Sequence, residues 1–176
     1  RRERSRFSDR KLPDKFFNKI DANLSWLKPI PLYIENKPLE YNLQLDGMYS
    51  NNMLPQSERS TIGSEGTVRG FKEYSENGDK SFIVKNELTW NMPNITNNRM
   101  SKLFGNFSVF AGYDIGWFKT KQEIGKDARG YMSGKSIGIR NSGGLFNISF
   151  TLSKRDHTHL PVSRKPVVYF STSINL

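Results

Sequence analysis

The chain has 176 residues, of which 35% are hydrophobic, and a mean hydropathy of −0.65. That length suffices for one domain, yet it leaves little apolar material for an ordinary core, and no run approaches the ~18 apolar residues of a membrane helix. The net charge of +10 raises a nucleic-acid reading, but the cations are scattered rather than gathered with stacking aromatics along one groove, so no nucleic-acid partner is expected.

The basic opening, Arg1-Arg2-Glu3-Arg4-Ser5-Arg6-Phe7, reads as a solvated arm. It has neither an initiator methionine nor a signal sequence, so the chain is expected to be a piece of something longer. Period-two alternation organises nearly all the remaining residues. Ile20, Ala22, Leu24 and Trp26 alternate with Asp21, Asn23 and Ser25. Leu39, Tyr41, Leu43 and Leu45 alternate with Glu40, Asn42, Gln44 and Asp46. Phe82, Val84, Leu88 and Trp90 oppose Lys85, Glu87 and Thr89, with Asn86 interrupting the apolar side. Val109, Ala111, Tyr113, Ile115 and Trp117 form a continuous stripe backed by Ser108, Gly112, Asp114 and Gly116. Ile137 and Ile139 alternate with Gly138 and Arg140. Phe146, Ile148, Phe150 and Leu152 alternate with Asn147, Ser149, Thr151 and Ser153. Val168, Phe170, Thr172, Ile174 and Leu176 close the series.

About seven strands result, each near the ~10 residues of a tilted membrane strand. A soluble β-sandwich would alternate similarly. Three features favour an antiparallel transmembrane β-barrel instead. Trp26, Trp90, Trp117, Tyr33 and Tyr49 stand near strand ends, as in the aromatic girdles of such barrels. Short connections such as Asn141-Ser142-Gly143-Gly144 alternate with long polar ones at 50–80, 119–133 and 154–165. The chain also ends within a strand, where a sandwich would leave a raw edge. An open sheet in lipid leaves backbone groups unpartnered, and single-chain barrels carry even strand numbers. The expectation is therefore an all-β chain, the C-terminal portion of a larger barrel with an even number of strands, with residues 51–80 as a long extracellular loop.

That loop carries Val68-Arg69-Gly70-Phe71 at its tip, an arginine and a flexible glycine where no hydrophobic core is expected. The stretch from Leu54 through Ser57-Glu58-Arg59 to Phe71 resembles the sixth extracellular loop of the two-partner secretion transporters (TpsB), haemolysin-activator-like members of the Omp85 superfamily. Further matches lie in order downstream. Lys85-Asn86-Glu87-Leu88 is similar to the family's Arg-Asn-Glu-Leu strand. Phe110-Ala111-Gly112-Tyr113-Asp114-Ile115-Gly116 resembles its Phe-x-x-Tyr-Asp-x-Gly inner-wall strand. Ser136-Ile137-Gly138-Ile139-Arg140, followed by Ser142-Gly143-Gly144, resembles its Gly-x-Gly-Leu-Arg hairpin. Departures are Ser64 in place of a glycine, Lys85 in place of arginine, and Leu176 in place of a terminal phenylalanine.

The resemblance implies an outer-membrane translocator that secretes one large β-helical exoprotein: a haemolysin, an adhesin or a contact-dependent toxin. It implies a barrel of about 16 strands, outer-membrane lipid and lipopolysaccharide as surroundings, and periplasmic POTRA domains outside this chain. It also implies that the loop folds back into the barrel and that Arg69 pairs with Asp114. Strand parity agrees, since Asp114 falls on the polar side of its strand. A guanidinium can grip a carboxylate through two parallel hydrogen bonds, each partner lowering the cost of keeping the other desolvated. Gly70 permits a tight turn, and Val68 and Phe71 would wedge against the wall. Lys85, Glu87, Phe110, Gly112 and Gly116 are the supporting positions. Asp21, Glu40, Asp46, Lys85, Glu87 and Arg140 would keep the channel hydrated.

Other chemistry is sparse. His157 and His159 have ligand-like spacing but only Asp156 nearby, so a solvated loop is preferred to a metal site. Asn94-Ile95-Thr96, Asn106-Phe107-Ser108 and Asn147-Ile148-Ser149 match the glycosylation pattern, two of them within strands. No serine, histidine and carboxylate cluster suggests an enzyme, and no cofactor is expected. The rival readings are a barrel-assembly factor of the same superfamily and a passive porin-like barrel.

Overall fold

Alternating β-branched and aromatic residues build one antiparallel sheet of seven strands in a computed structural model that describes residues 13–34, 37–71, 74–93, 98–122, 125–158 and 165–175. The strands are β1 (Ile20–Ile34), β2 (Lys37–Tyr49), β5 (Lys80–Asn91), β6 (Asn106–Thr120), β7 (Ala128–Ser142), β8 (Phe146–Thr158) and β9 (Val167–Ile174), in that spatial order. A two-stranded hairpin, β3 (Ser60–Ile62) with β4 (Glu76–Gly78), lies inside the long connection between β2 and β5. A short helix, α1 (Asn98–Phe104), joins β5 to β6.

The register fixes the two faces. Asp46 pairs with Ile83, Ile83 with Gly116 and Gly116 with Met132, so the even positions of β2, β6 and β7 share a face with the odd positions of β5. This inner face carries the loop. The outer face carries Leu24, Phe82, Ile115, Trp117, Ile137, Phe150 and Phe170, all substantially exposed. A contiguous apolar surface of that extent needs an apolar surrounding. Asn86 is a polar residue within it, flanked by Val84 and Leu88 on the same face. Its Oδ1 accepts the Tyr41 hydroxyl at 2.6 Å and its Nδ2 donates to the Tyr113 carbonyl at 3.1 Å, so the amide needs no water there.

Three expectations about connections require correction. Residues 119–133 are not one loop, because β6 runs to Thr120 and β7 begins at Ala128. Arg129 and Tyr131 alternate with inward Gly130 and Met132, an alternation disguised by the arginine. Similarly β8 continues to Thr158, well into the 154–165 stretch. The β5–β6 connection, on the same rim as the tight 143–145 turn, is long and holds α1. Phe104 of α1 packs against Phe107 and Phe146 at 6.3 and 6.2 Å, which places the helix on the outer side of that rim. Residues 1–7, Asn94, His159 and Leu176 lie outside the described residues, as does the side chain of Tyr33.

Candidate functional site

The long connection folds back onto the inner face, and its root is fixed first. Asp79, buried beside β5, accepts the Leu54 amide at 2.8 Å, Arg59 Nε at 3.1 Å and the Lys121 amide at 2.6 Å. The loop is thereby tied to both β5 and the β6–β7 connection at the sheet's rim. The hairpin β3–β4 comes next, and the Thr67 hydroxyl accepts the amides of Gly63 and Ser64, both at 3.1 Å, to shape the turn before the tip.

At the tip Arg69 is only 4% exposed and Asp114 is fully buried. Arg69 Nε donates to Asp114 Oδ2 at 2.6 Å and Nη2 to Oδ1 at 2.8 Å, while the Arg69 amide reaches Oδ2 at 3.1 Å. The pair is bidentate with a third bond from the backbone, the geometry that makes a buried ion pair tolerable. The remaining guanidinium nitrogen, Nη1, donates to Glu87 Oε2 at 2.9 Å. Glu87 Oε1 in turn lies 2.7 Å from Arg140 Nη2, so one carboxylate bridges two arginines. Both guanidinium groups lie over the ring of Phe110, at 5.7 and 4.8 Å from its centre. Lys85 Nζ donates to the Gly66 carbonyl at 3.0 Å. Asn42, Gln44, Arg69, Lys85, Glu87 and Arg140 line a small polar cavity of about 130 Å³.

Glycines in the wall make room for this arrangement. A Cβ built on Gly112 would overlap Arg69 Nη2, and one on Gly134 would overlap the Arg69 carbonyl. One on Gly116 would come within 2.7 Å of both Ile62 and Val68. At the tip itself Gly70 has φ +99°, a left-handed conformation that side chains resist. The Gly70 amide donates to the Tyr169 hydroxyl on β9 at 3.2 Å.

The apolar half of the tip has its own core, contrary to the expectation that none would reach there. Val68 and Phe71 are buried with Ile62, Ile83, Phe118 and Met132. Burial of each large side chain contributes about 2 kcal/mol. Ile83, Phe118 and Met132 are wall residues on the inner face. Sequence reasoning passed over them, although Phe82-Ile83-Val84, Trp117-Phe118 and Tyr131-Met132 each break the alternation on the polar side. Asp79, Arg59 and Tyr169 were also missed. Asn77-Gly78-Asp79 reads as an ordinary turn, and nothing local marks its aspartate as buried.

The remaining candidates scatter. Asp21 and Asp46 line a separate cleft of about 370 Å³ between the hairpin and the inner face of β1 and β2, together with Lys19, Glu58 and Arg59. His157 is exposed near the end of β8, its Nδ1 3.2 Å from Asp156. Among the described residues no group of ligating side chains could hold a metal.

The model of the family described as "Haemolysin secretion/activation protein ShlB/FhaC/HecB" matches residues 2–141. The outer membrane transporter CdiB of Dickeya dadantii is 35% identical over 78 residues, 44% of this chain and 13% of that protein. The solved structure of CdiB from Escherichia coli superposes with a TM-score of 0.77 at 20% identity, covering 98% of this chain and 30% of that one. CdiB from Acinetobacter baumannii gives a TM-score of 0.71 at 24% identity, over 90% of this chain and 27% of that one. The chain thus spans a minor part of the relatives it matches, and the sheet has the fold of the corresponding barrel wall. These relatives are transporters rather than enzymes, and they place the chain in the outer membrane of a Gram-negative bacterium. The chain belongs to the haemolysin secretion/activation family ShlB/FhaC/HecB.

Proposed function

We propose that this chain is the C-terminal part of the transmembrane barrel of a two-partner secretion translocator, which passes one large β-helical exoprotein of the haemolysin, adhesin or contact-dependent toxin type across the outer membrane. POTRA domains outside this chain would receive the client. The observation that carries the reading is the Arg69–Asp114 pair, which holds a loop of some thirty residues against the inner face of a membrane sheet (residues 50–79 connect β2 and β5). A loop held at root and tip fills part of the pore without closing it, leaving the inner face of β1 and β2 beside the cleft for an extended client. That face is polar, with Asp21, Asn23, Gln44 and Asp46, and offers an unfolded apolar segment little to adhere to.

The test is secretion of the co-encoded exoprotein by the full-length protein and its Arg69→Ala variant, alongside single-channel recording. Loss of secretion with altered conductance is expected. Secretion at the wild-type level with unchanged conductance would overturn the reading. Unchanged secretion together with failure to insert other outer-membrane barrels would favour the assembly-factor alternative.

A further inference from the structure

The outer face ends, toward the rim of the long loop, in a row of cations that the register sets side by side, and a second cation pair lies deeper on the wall. On β5, β6 and β7 the last aromatic row is Phe82, Trp117 and Tyr131, cross-strand neighbours all facing outward. Two residues further toward the rim the same three strands place Lys80 opposite Lys119 and Lys119 opposite Arg129. On β7 and β8 the last apolar pair is Ile137 with Leu152, and the next outward pair is Lys135 with Lys154. Like charges directly opposite each other across strands are mutually destabilising. Five cations in such positions face two acids: Asp127, 3.2 Å from Lys119, and Asp156, 3.9 Å from Lys135. Asp156 also accepts the Tyr113 hydroxyl at 3.0 Å and lies against His157. Lys80 is held over the Tyr49 ring at 4.0 Å and donates to Asn51 Oδ1 at 3.0 Å, which fixes its height on the wall.

We infer that the upper row, Lys80, Lys119 and Arg129, forms a binding site for the bisphosphorylated glycolipid headgroup of lipopolysaccharide. The inference rests on the barrel reading above, which puts this rim at the cell exterior. An aromatic row marks the level where acyl chains give way to headgroups. The cations of the upper row, Lys80, Lys119 and Arg129, stand just beyond it, where a lipid phosphate lies, whereas Lys135 and Lys154 lie on the membrane side of Tyr131. Across three strands spaced ~4.8 Å apart the row spans about 10 Å, room for more than one phosphate, and its ammonium and guanidinium groups are phosphate donors. The three strands that carry the upper row, β5 to β7, are also those that seat the loop tip, so the lipid would brace the part of the wall that holds the plug.

The experiment uses the full-length protein reconstituted in phosphatidylcholine vesicles doped with bisphosphorylated lipid A, monophosphorylated lipid A or phosphatidylglycerol, with bound lipid counted by native mass spectrometry. The wild type is expected to retain bisphosphorylated lipid A in preference to the other two. Each charge removed is worth about fivefold in affinity, so Lys80→Gln with Lys119→Gln and Arg129→Gln should weaken retention roughly 100-fold. The charge-conserving set Lys80→Arg, Lys119→Arg and Arg129→Lys should keep it, and single Arg129→Gln serves where the triple variant folds poorly. Wild-type retention by the neutralised variants overturns the site, as does equal retention of phosphatidylglycerol. A wild-type protein that conducts and secretes yet retains no lipid A also overturns this inference alone. One that forms no barrel overturns the reading beneath it.

Discussion

The guanidinium of Arg69 occupies the space that a side chain on Gly112 would fill. The pairing of Arg69 with Asp114 therefore depends on an absent methyl group as much as on charge. Gly112→Ala should push the guanidinium off the wall, weaken both of its carboxylate bonds and raise the conductance of the full-length channel. Overpacking of this kind costs roughly 1–3 kcal/mol. Single-channel recording with a check of heat-modifiable gel migration measures both effects. Wild-type conductance in a folded Gly112→Ala barrel would show that the loop tip does not limit the pore.

The buried pair should be strongly non-additive. Asp114→Ala leaves Arg69 buried with only Glu87 as an acidic partner, and breaking a buried pair from one side costs about 3–5 kcal/mol. Arg69→Ala leaves Asp114 buried without its two guanidinium bonds. The double variant removes both desolvated charges and should be less damaging than the two singles combined, by roughly 2 kcal/mol or more. Thermal unfolding of the four proteins in detergent measures the coupling. Strict additivity would mean that the two residues act independently.

Gly70 and Gly143 make a matched comparison. Both have positive φ, +99° and +83°. A Cβ on Gly143 meets nothing within 4 Å, whereas one on Gly70 comes within 2.7 Å of the Arg155 amide nitrogen and 2.8 Å of the Lys154 carbonyl carbon. Gly143→Ala should cost only the backbone strain of about 1 kcal/mol. Gly70→Ala should cost more and free the loop tip, read as faster proteolysis between residues 62 and 71. Equal protease resistance in the two variants would mean that the tip accommodates a methyl group by a small shift.

Acid should loosen the strap ahead of β1. The Asp14 carboxylate accepts the Met53 amide at 2.9 Å, while the Asp14 amide donates to the Met53 carbonyl at 3.0 Å. The Met53 hydrogen bond, aided by the Asn52 side chain, holds the Asp14 carboxyl below its ordinary value of 3.8. A depressed folded value means that the stabilisation is present above the unfolded value and disappears as pH falls through the folded one. Hydrogen exchange at the Met53 amide, corrected for intrinsic rates, should therefore show more opening below about pH 4 and none between pH 5 and 8. A flat profile down to pH 3 would remove Asp14 from the strap.

Much of the sheet was legible because the period-two signal is strong wherever one face is lipid and the other is wet. Parity put Asp114 and Glu87 inside and Trp117 and Ile115 outside with no further information. The loop's destination was not legible from alternation at all, since nothing local to Arg69 says which strand it meets. The quality that hid Ile83, Phe118 and Met132 is the same one that matters: they are apolar on a wet face, which looks like noise until the loop that covers them is in place. Arg129 hid the start of β7 for the opposite reason, being charged on the lipid-facing side near the rim. Asp79 was invisible because its partners, Leu54, Arg59 and Lys121, come from three separate stretches of chain.

The fastening of the loop at Asp79 and at Arg69 divides the inner wall into two evolutionary regimes. On β5, β6 and β7 a substitution at Gly112, Gly116, Gly134, Ile83 or Met132 must be answered by a change in the loop, so these positions and residues 62–71 should drift together or not at all. The inner positions of β1 and β2 that line the cleft face the loop across open space and so carry a smaller debt to it. On the secretion reading proposed above, lineages that change cargo should therefore record the change first at Asp21, Asn23 and Asp46, while the opposite wall keeps its small residues.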